Sequence, residues 1–160
     1  MSDIKIARVT LKEITLLNQA LRALAVDLGD DFLTDEDTLC EAVCGANAPC
    51  IALLAHAGGE PLGIALASRV FSTVRGGAGL YVSDLWVAKA QRGKGLARRL
   101  LALTAQEGVS LNAGHFLKLT VYHDNPQALA AYDQLGFIRQ VDETNMILTG
   151  TGLAALKETS

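Results

Sequence analysis

LYVSDLWVAKAQRGKGLARR, residues 80–99, passes from an apolar, aromatic run into a basic, glycine-broken turn and then into a helical repeat. The run at 80–87 suits a strand, and the pattern from about 95 to 112 suits a helix. A helix's first turn leaves backbone N–H groups without intrahelical partners, and its dipole favours negative charge there. Gly93 and Gly95 remove side chains that would hold a ligand away from those amides. Arg92, Lys94, Arg98 and Arg99 add positive charge around the same spot. The turn is a prospective pyrophosphate site. Two other phosphate motifs fail: no G-x-x-x-x-G-K-[ST] run exists, and Gly93-x-Gly95 is followed by Arg98 where a dinucleotide fingerprint needs glycine.

Upstream, residues 4–9 (IKIARV) alternate as a half-buried strand should. Thr10 and Glu13 have capping-box spacing, and Leu11, Ile14, Leu17, Leu21, Leu24 and Leu28 recur at helical intervals up to Gly29. A second capped start at residues 34–37 leads into a short helix ending near Gly45. Strands are expected at 50–56 and 62–72, with Gly58, Gly59 and Pro61 in the turn between them. Downstream, a strand at 116–121, a helix at 125–135 and strands near 137–140 and 144–148 follow, and the tail is weakly patterned. The order β-α-α-β-β-β-α-β-α-β-β predicts an α/β fold with a mixed sheet. No repeat, low-complexity run or linker divides the 160 residues, so a single domain over 1–160 is expected.

Half the residues are hydrophobic and 19% are charged, as a packed globule requires. No apolar stretch approaches the ~20 residues needed to span a bilayer. Residues 1–5 lack a signal-peptide pattern, which points to the cytoplasm. The net charge of −3 gives no electrostatic footprint for nucleic acid. Three cysteines, at 40, 44 and 50, are expected as reduced thiols. Two thiols on one helical face make an incomplete zinc set, so no metal is expected.

Arg92-Gly93-Lys94-Gly95-Leu96-Ala97 matches an R-x-x-G-x-[GA] signature, and Asn125-Pro126-Gln127-Ala128 with Tyr132-Asp133-Gln134-Leu135-Gly136-Phe137 matches an N-x-x-A…Y-x-x-L-G-F block. In this order and at this distance, the two motifs resemble the GNAT family of N-acetyltransferases. The matched stretch covers somewhat over a third of the chain. The resemblance implies a mixed, mostly antiparallel sheet of about six or seven strands with about four helices, splayed at the strand before the pyrophosphate turn. It implies acetyl-CoA as cosubstrate and a primary amine as acceptor. The backbone of Leu85, Trp86 and Val87 would hold the acetyl carbonyl and pantetheine amides. Arg92 and the amides of Gly93, Lys94, Gly95, Leu96, Ala97 and Arg98 would hold the pyrophosphate, and Asn125 and Ala128 would line the cofactor's far side. Tyr132 would act as general acid toward the leaving thiolate; the alternative is that it only packs with Leu129 and Leu135. Family members often form homodimers, which is the expectation here.

Residues 82–87 (VSDLWV) resemble the spermidine/spermine and related diamine acetyltransferases, except that Ser83 stands where those commonly carry a basic-acting Glu. Asp84 could substitute as base, although strand alternation turns Ser83 and Asp84 to opposite sides. A bulge would change that; otherwise Asp84 orients nearby backbone. His56, His115 and His123 are weaker candidates. In the family, the first two helices and the loop before the fourth strand shape the acceptor pocket. Here that region carries Asp27, Asp30, Asp31, Asp35, Glu36 and Asp37, with Asp30, Asp31 and Asp35 the expected substrate-binding residues. These acids either draw a small cationic amine or serve as solvated helix-terminal charges. The rival functions are acetylation of a protein N-terminus or lysine, a peptide, an amino acid or an aminoglycoside, and a non-catalytic acyl-CoA-binding module.

Overall fold

Strand β1 (Lys5–Arg8) pairs antiparallel with β2 (Cys50–Ala57), which turns at Gly58-Gly59 into β3 (Glu60–Ser72), and β3 turns back into β4 (Gly77–Val87). A parallel neighbour needs a crossover. Helix α3 (Leu96–Ser110) supplies it and delivers β5 (Leu117–Leu119) alongside β4. The sheet order is β1-β2-β3-β4-β5. This computed structural model describes residues 3–159, and Met1, Ser2 and Ser160, at the ends of the N-terminal and tail segments, lie outside them. The chain divides into two compact units, Met1–Tyr122 and His123–Ser160.

In the first unit, helices cover both faces of the sheet. On one face, helices α1 (Ile14–Leu28) and α2 (Glu36–Val43) pack Leu17, Leu21, Leu39 and Val43 against Ala52, Leu54 and Ile64. On the other, α3 packs Leu96 and Leu100 against Leu53, Ala55 and Ala65. Residues 51–55 of β2 are therefore buried on both faces, which explains their unbroken apolar run. The Thr10–Glu13 capping box forms, with Thr10 N–H donating to Glu13 Oε2 at 2.9 Å, but its first turn (Leu11–Glu13) is a 3-10 turn before α1 proper.

The second unit contains α4 (Pro126–Gln134) and α5 (Gly150–Lys157). The strands expected near 137–140 and 144–148 do not form among the described residues, so the sheet has five strands rather than six or seven. Local residue type is only a disposition toward a strand; a ladder also needs a neighbour to bond and pack against. Ile138, Val141, Met146 and Ile147 lack that cover and are exposed. The tail, weakly patterned as sequence, forms a fifth helix, α5.

Candidate active site

The face that β4 presents changes partway along the strand. Leu80 lies against α3, close enough that a methyl on Gly108 would sit 3.1 Å from its Cδ1. Strict alternation would then keep residues 82, 84 and 86 on the α3 side. Instead Leu85 and Val87 pack with the α3 cluster, while Trp86 packs with the α1/α2 cluster. The register explains the change: Ala67 opposes Val82 and Leu66 opposes Asp84, leaving Ser83 as an extra residue in a β-bulge. Asp84 thus moves to the α1/α2 face beside Leu66, and Ser83 Oγ donates to Asp84 Oδ2 at 2.7 Å. Burial pushes the Asp84 carboxyl above the usual carboxylate range, against the opposing pull of the Ser83 bond. The Cys50 thiol is also pushed up, by burial and then by the Asp84 charge.

The bulge also marks where β4 loses its outer partner. Pairing with β5 ends at Val82–Leu119, so residues 83–87 continue with an open edge. This is the splay. Ala88 N–H donates to Leu62 O at 2.9 Å, so two-residue alternation directs the Trp86 backbone toward β3 as well. The backbone groups of Leu85 and Val87 consequently face the open side. Of the three residues implied to hold pantetheine, those two face the free edge, although the Val87 carbonyl is taken by Arg92 Nε and only its N–H stays open.

The chain then turns through a 3-10 segment (Lys89–Gln91) into Gly93 (φ 74°) and Gly95 (φ 79°). Both are left-handed, a conformation costly for other residues. Arg99 N–H makes the first helical bond, to Gly95 O at 3.1 Å. The N–H groups of Leu96, Ala97 and Arg98 precede it and have no helical acceptor. A Cβ on Gly93 or Gly95 would meet no atom within 4 Å, so the space before these amides is open. Lys94, Arg98 and Arg99 stand exposed around it. This cradle fits a diphosphate.

Arg92 is committed to the protein instead. Its Nε donates to Val87 O at 2.9 Å and its Nη2 to Asp27 Oδ2 at 2.5 Å. The same Asp27 oxygen accepts from Trp86 Nε1 at 3.1 Å. Burial works against the Asp27 charge, but the bonds from Trp86 and Arg92 outweigh it and hold the carboxyl below its usual range. Sequence reasoning missed this link; its partners are 59 and 65 residues apart, and no local pattern signals them.

Among the acids expected at the acceptor side, Asp27 is instead held by Trp86 and Arg92. Glu36 accepts from Thr15 Oγ1 at 3.2 Å and Asn18 Nδ2 at 3.3 Å, and Asp30, Asp31 and Asp35 each sit differently. Asp30 Oδ2 accepts from Tyr122 Oη at 2.9 Å. Asp35 is the α2 N-cap, accepting from Thr38 N–H at 2.8 Å, and that bond lowers its pKa. Asp31 is exposed in the connecting loop. His115 is exposed, with its ring lying where a methyl on Gly77 would stand, and His56 sits at a register shift in β2. The three cysteines are free and half-buried, and no group of three or more metal-ligating side chains occurs among the described residues.

In the second unit, Asn125 caps α4, its Oδ1 accepting from Ala128 N–H at 3.2 Å. Two residues implied to line a cofactor thus make a helix cap with each other. Tyr132 meets the Phe137 ring edge-on, with centroids 5.6 Å apart, and burial raises its phenol pKa. Arg139 pairs with Asp133.

Comparison with known proteins agrees with this architecture. An integron cassette protein from V. cholerae matches with a TM-score of 0.78 at 22% identity, over 99% of both chains. The aminoglycoside N-acetyltransferase AAC(6')-Iy, solved in complex with CoA, matches with a TM-score of 0.75 at 17% identity, over 94% of this chain and 97% of that one. In sequence, N-alpha-acetyltransferase 40 of Saccharomyces cerevisiae is 36% identical over a stretch covering 38% of this chain and 23% of the yeast protein. The stretch thus spans about a quarter of the length of that relative. The profile of the acetyltransferase (GNAT) family matches residues 16–137, from helix α1 through the open edge of β4 and its glycine turn to Phe137, and the chain belongs to that family.

Proposed function

We propose that this protein is an acetyl-CoA-dependent N-acetyltransferase, acting over 1–160 as one domain on a primary amine of small, cationic character. The observation that carries the proposal is the pairing of a cradle of open amides at the start of α3 with the unpaired edge of β4 leading into it. Together they suit a diphosphate joined to an extended amide-bearing arm. Acetyl-CoA, when bound, supplies an acetyl thioester open to attack by an amine.

The chain's own residues then divide the work. The amides of residues 93–98 grip the diphosphate, and the Leu85 backbone and the Val87 N–H line the open edge, while the Val87 carbonyl is held by Arg92. An N–H aimed at the acetyl oxygen stabilises charge developing there. Asp84, with its raised affinity for a proton, takes the amine's proton through the Ser83 hydroxyl, which stands exposed beside it. The Tyr132 phenol holds the proton that the departing sulfur takes up. Asn125 and Ala128 fix the start of the helix that carries Tyr132. Asp30 and Asp31, with Asp35 adding to the field, favour a cationic acceptor.

Support for a small amine comes from the resemblance at residues 82–87 and from the aminoglycoside-acetylating neighbour. A second acceptor class, the α-amine of a peptide, is favoured by the stretch shared with the yeast N-alpha-acetyltransferase. The test is release of CoA thiol from acetyl-CoA with spermidine, an aminoglycoside and short peptides offered in parallel. Turnover of the polyamine or aminoglycoside supports the reading, and turnover of peptides alone transfers it to the second class. No turnover with any amine would leave a binding module. Gel filtration with light scattering would test the proposed homodimer.

A further inference from the structure

Arg92 has two anchors, and they lie on different elements. Its Nε bond to Val87 O closes the chain over the four residues, 88–91, between the end of β4 and Arg92. Its Nη2 bond to Asp27 ties that closed loop to the last turn of α1. Trp86, immediately before Val87 on β4, donates to the same carboxylate oxygen. Asp27 therefore touches both ends of the segment that must be in place to grip a diphosphate. A guanidinium is planar with donors in a fixed fork, so two simultaneous bonds fix its orientation and not merely its position. The next residue, Gly93, begins the open amide cradle.

We infer that Asp27 is a positioning residue for the cofactor: by locking Arg92 against Val87, it presets the 92–95 turn so that its amides converge before CoA arrives. This rests on the proposal that the turn holds CoA. Preorganisation of this kind raises affinity by removing an ordering cost from the binding step. The carboxylate also absorbs the Arg92 charge, which leaves Lys94, Arg98, Arg99 and the amides as the groups facing an anion. Because Asp27 sits at the end of α1 that leads to Asp30 and Asp31, the link joins the cofactor turn to the proposed acceptor side.

The test is calorimetric titration of CoA into wild type, Asp27→Ala, Arg92→Ala and the double variant, with circular dichroism to verify folding. Each single variant is expected to bind CoA about tenfold more weakly, the loss typical of one charge-assisted bond. The double variant should bind no worse than the weaker single, because both substitutions release the same lock. Asp27→Asn preserves the shape without the charge and should also weaken CoA, which covers the case in which Ala prevents folding. Asp27→Glu should recover part of the loss. An ion pair that only supports the fold would lower the melting temperature and leave CoA affinity unchanged, and that result overturns the inference. So does an additive loss of about a hundredfold in the double variant. Wild-type protein that binds no CoA would overturn both this inference and the acetyl-CoA proposal beneath it.

Discussion

Ser83 Oγ donates to Asp84 Oδ2 across 2.7 Å, although the two residues are consecutive in a strand. The bulge at Ser83 permits this, and burial of Asp84 raises its pKa. A native state that holds the proton more tightly than the unfolded chain loses stability as pH rises from the usual carboxylate range to the raised value. Asp84→Asn should therefore melt above wild type at neutral pH, with the advantage vanishing in acid. Its turnover should fall on the order of 10²-fold. Ser83→Ala removes a bond that lowers the Asp84 pKa, so the acid limb of the kcat profile should move further upward. Melting curves at two pH values and a pH–rate profile check these outcomes.

Gly95 stands at φ 79° with nothing near its missing Cβ. Gly95→Ala should cost about 1–2 kcal/mol of stability from backbone strain alone. It should weaken CoA by more, since the methyl projects toward the ligand space. Chemical denaturation and calorimetry separate the two effects.

Asp30, Asp31 and Asp35 separate in the same way. Neutralising Asp30 and Asp31 should raise the Michaelis constant for cationic amines and leave that for acetyl-CoA unchanged. Asp35→Ala should mainly lower the melting temperature, because Asp35 caps α2. Its bond from Thr38 lowers the pKa, so the stabilisation is present above the usual carboxylate range and is lost as pH falls through the lowered value. Melting in strong acid should bring the variant and wild type together.

Tyr132→Phe retains the ring that meets Phe137 and removes only the hydroxyl. Stability should hold while kcat falls on the order of 10-fold to 10²-fold. An equal loss of melting temperature and activity would instead point to packing.

Gly79 lies directly beneath Phe116, and an added methyl would overlap the Phe116 carbonyl. Gly79→Ala should destabilise by about 1–3 kcal/mol through forced backbone movement. Because Phe116 immediately precedes β5, CoA affinity should fall as well, measured by denaturation and titration on the same preparation.

The single tryptophan ties these measurements together, since Trp86 is on β4 and bonded to Asp27. Its emission should change when CoA binds to wild type.

Much of the fold was legible because it is local. The glycine turn, the capped starts at Thr10 and within residues 34–37, the Gly58-Gly59 turn and the helical repeats of α1 and α3 depend on residues within a few positions of each other. Their physical causes are backbone preference and the spacing of apolar side chains. The open amides at the start of α3 belong to this class, and the candidate cofactor site could therefore be read from twenty residues.

Tertiary structure decided what depends on a partner strand or a distant side chain. The face on which Asp84 stands is set by a one-residue slip against Leu66 and Ala67, and a slip between strands follows from pairing and burial across the whole sheet. The Asp27–Arg92 lock joins residues 65 positions apart, beyond the reach of any periodicity. Likewise, the apolar residues around 137–141 and 146–148 suggest strands that only a bonded neighbour could realise.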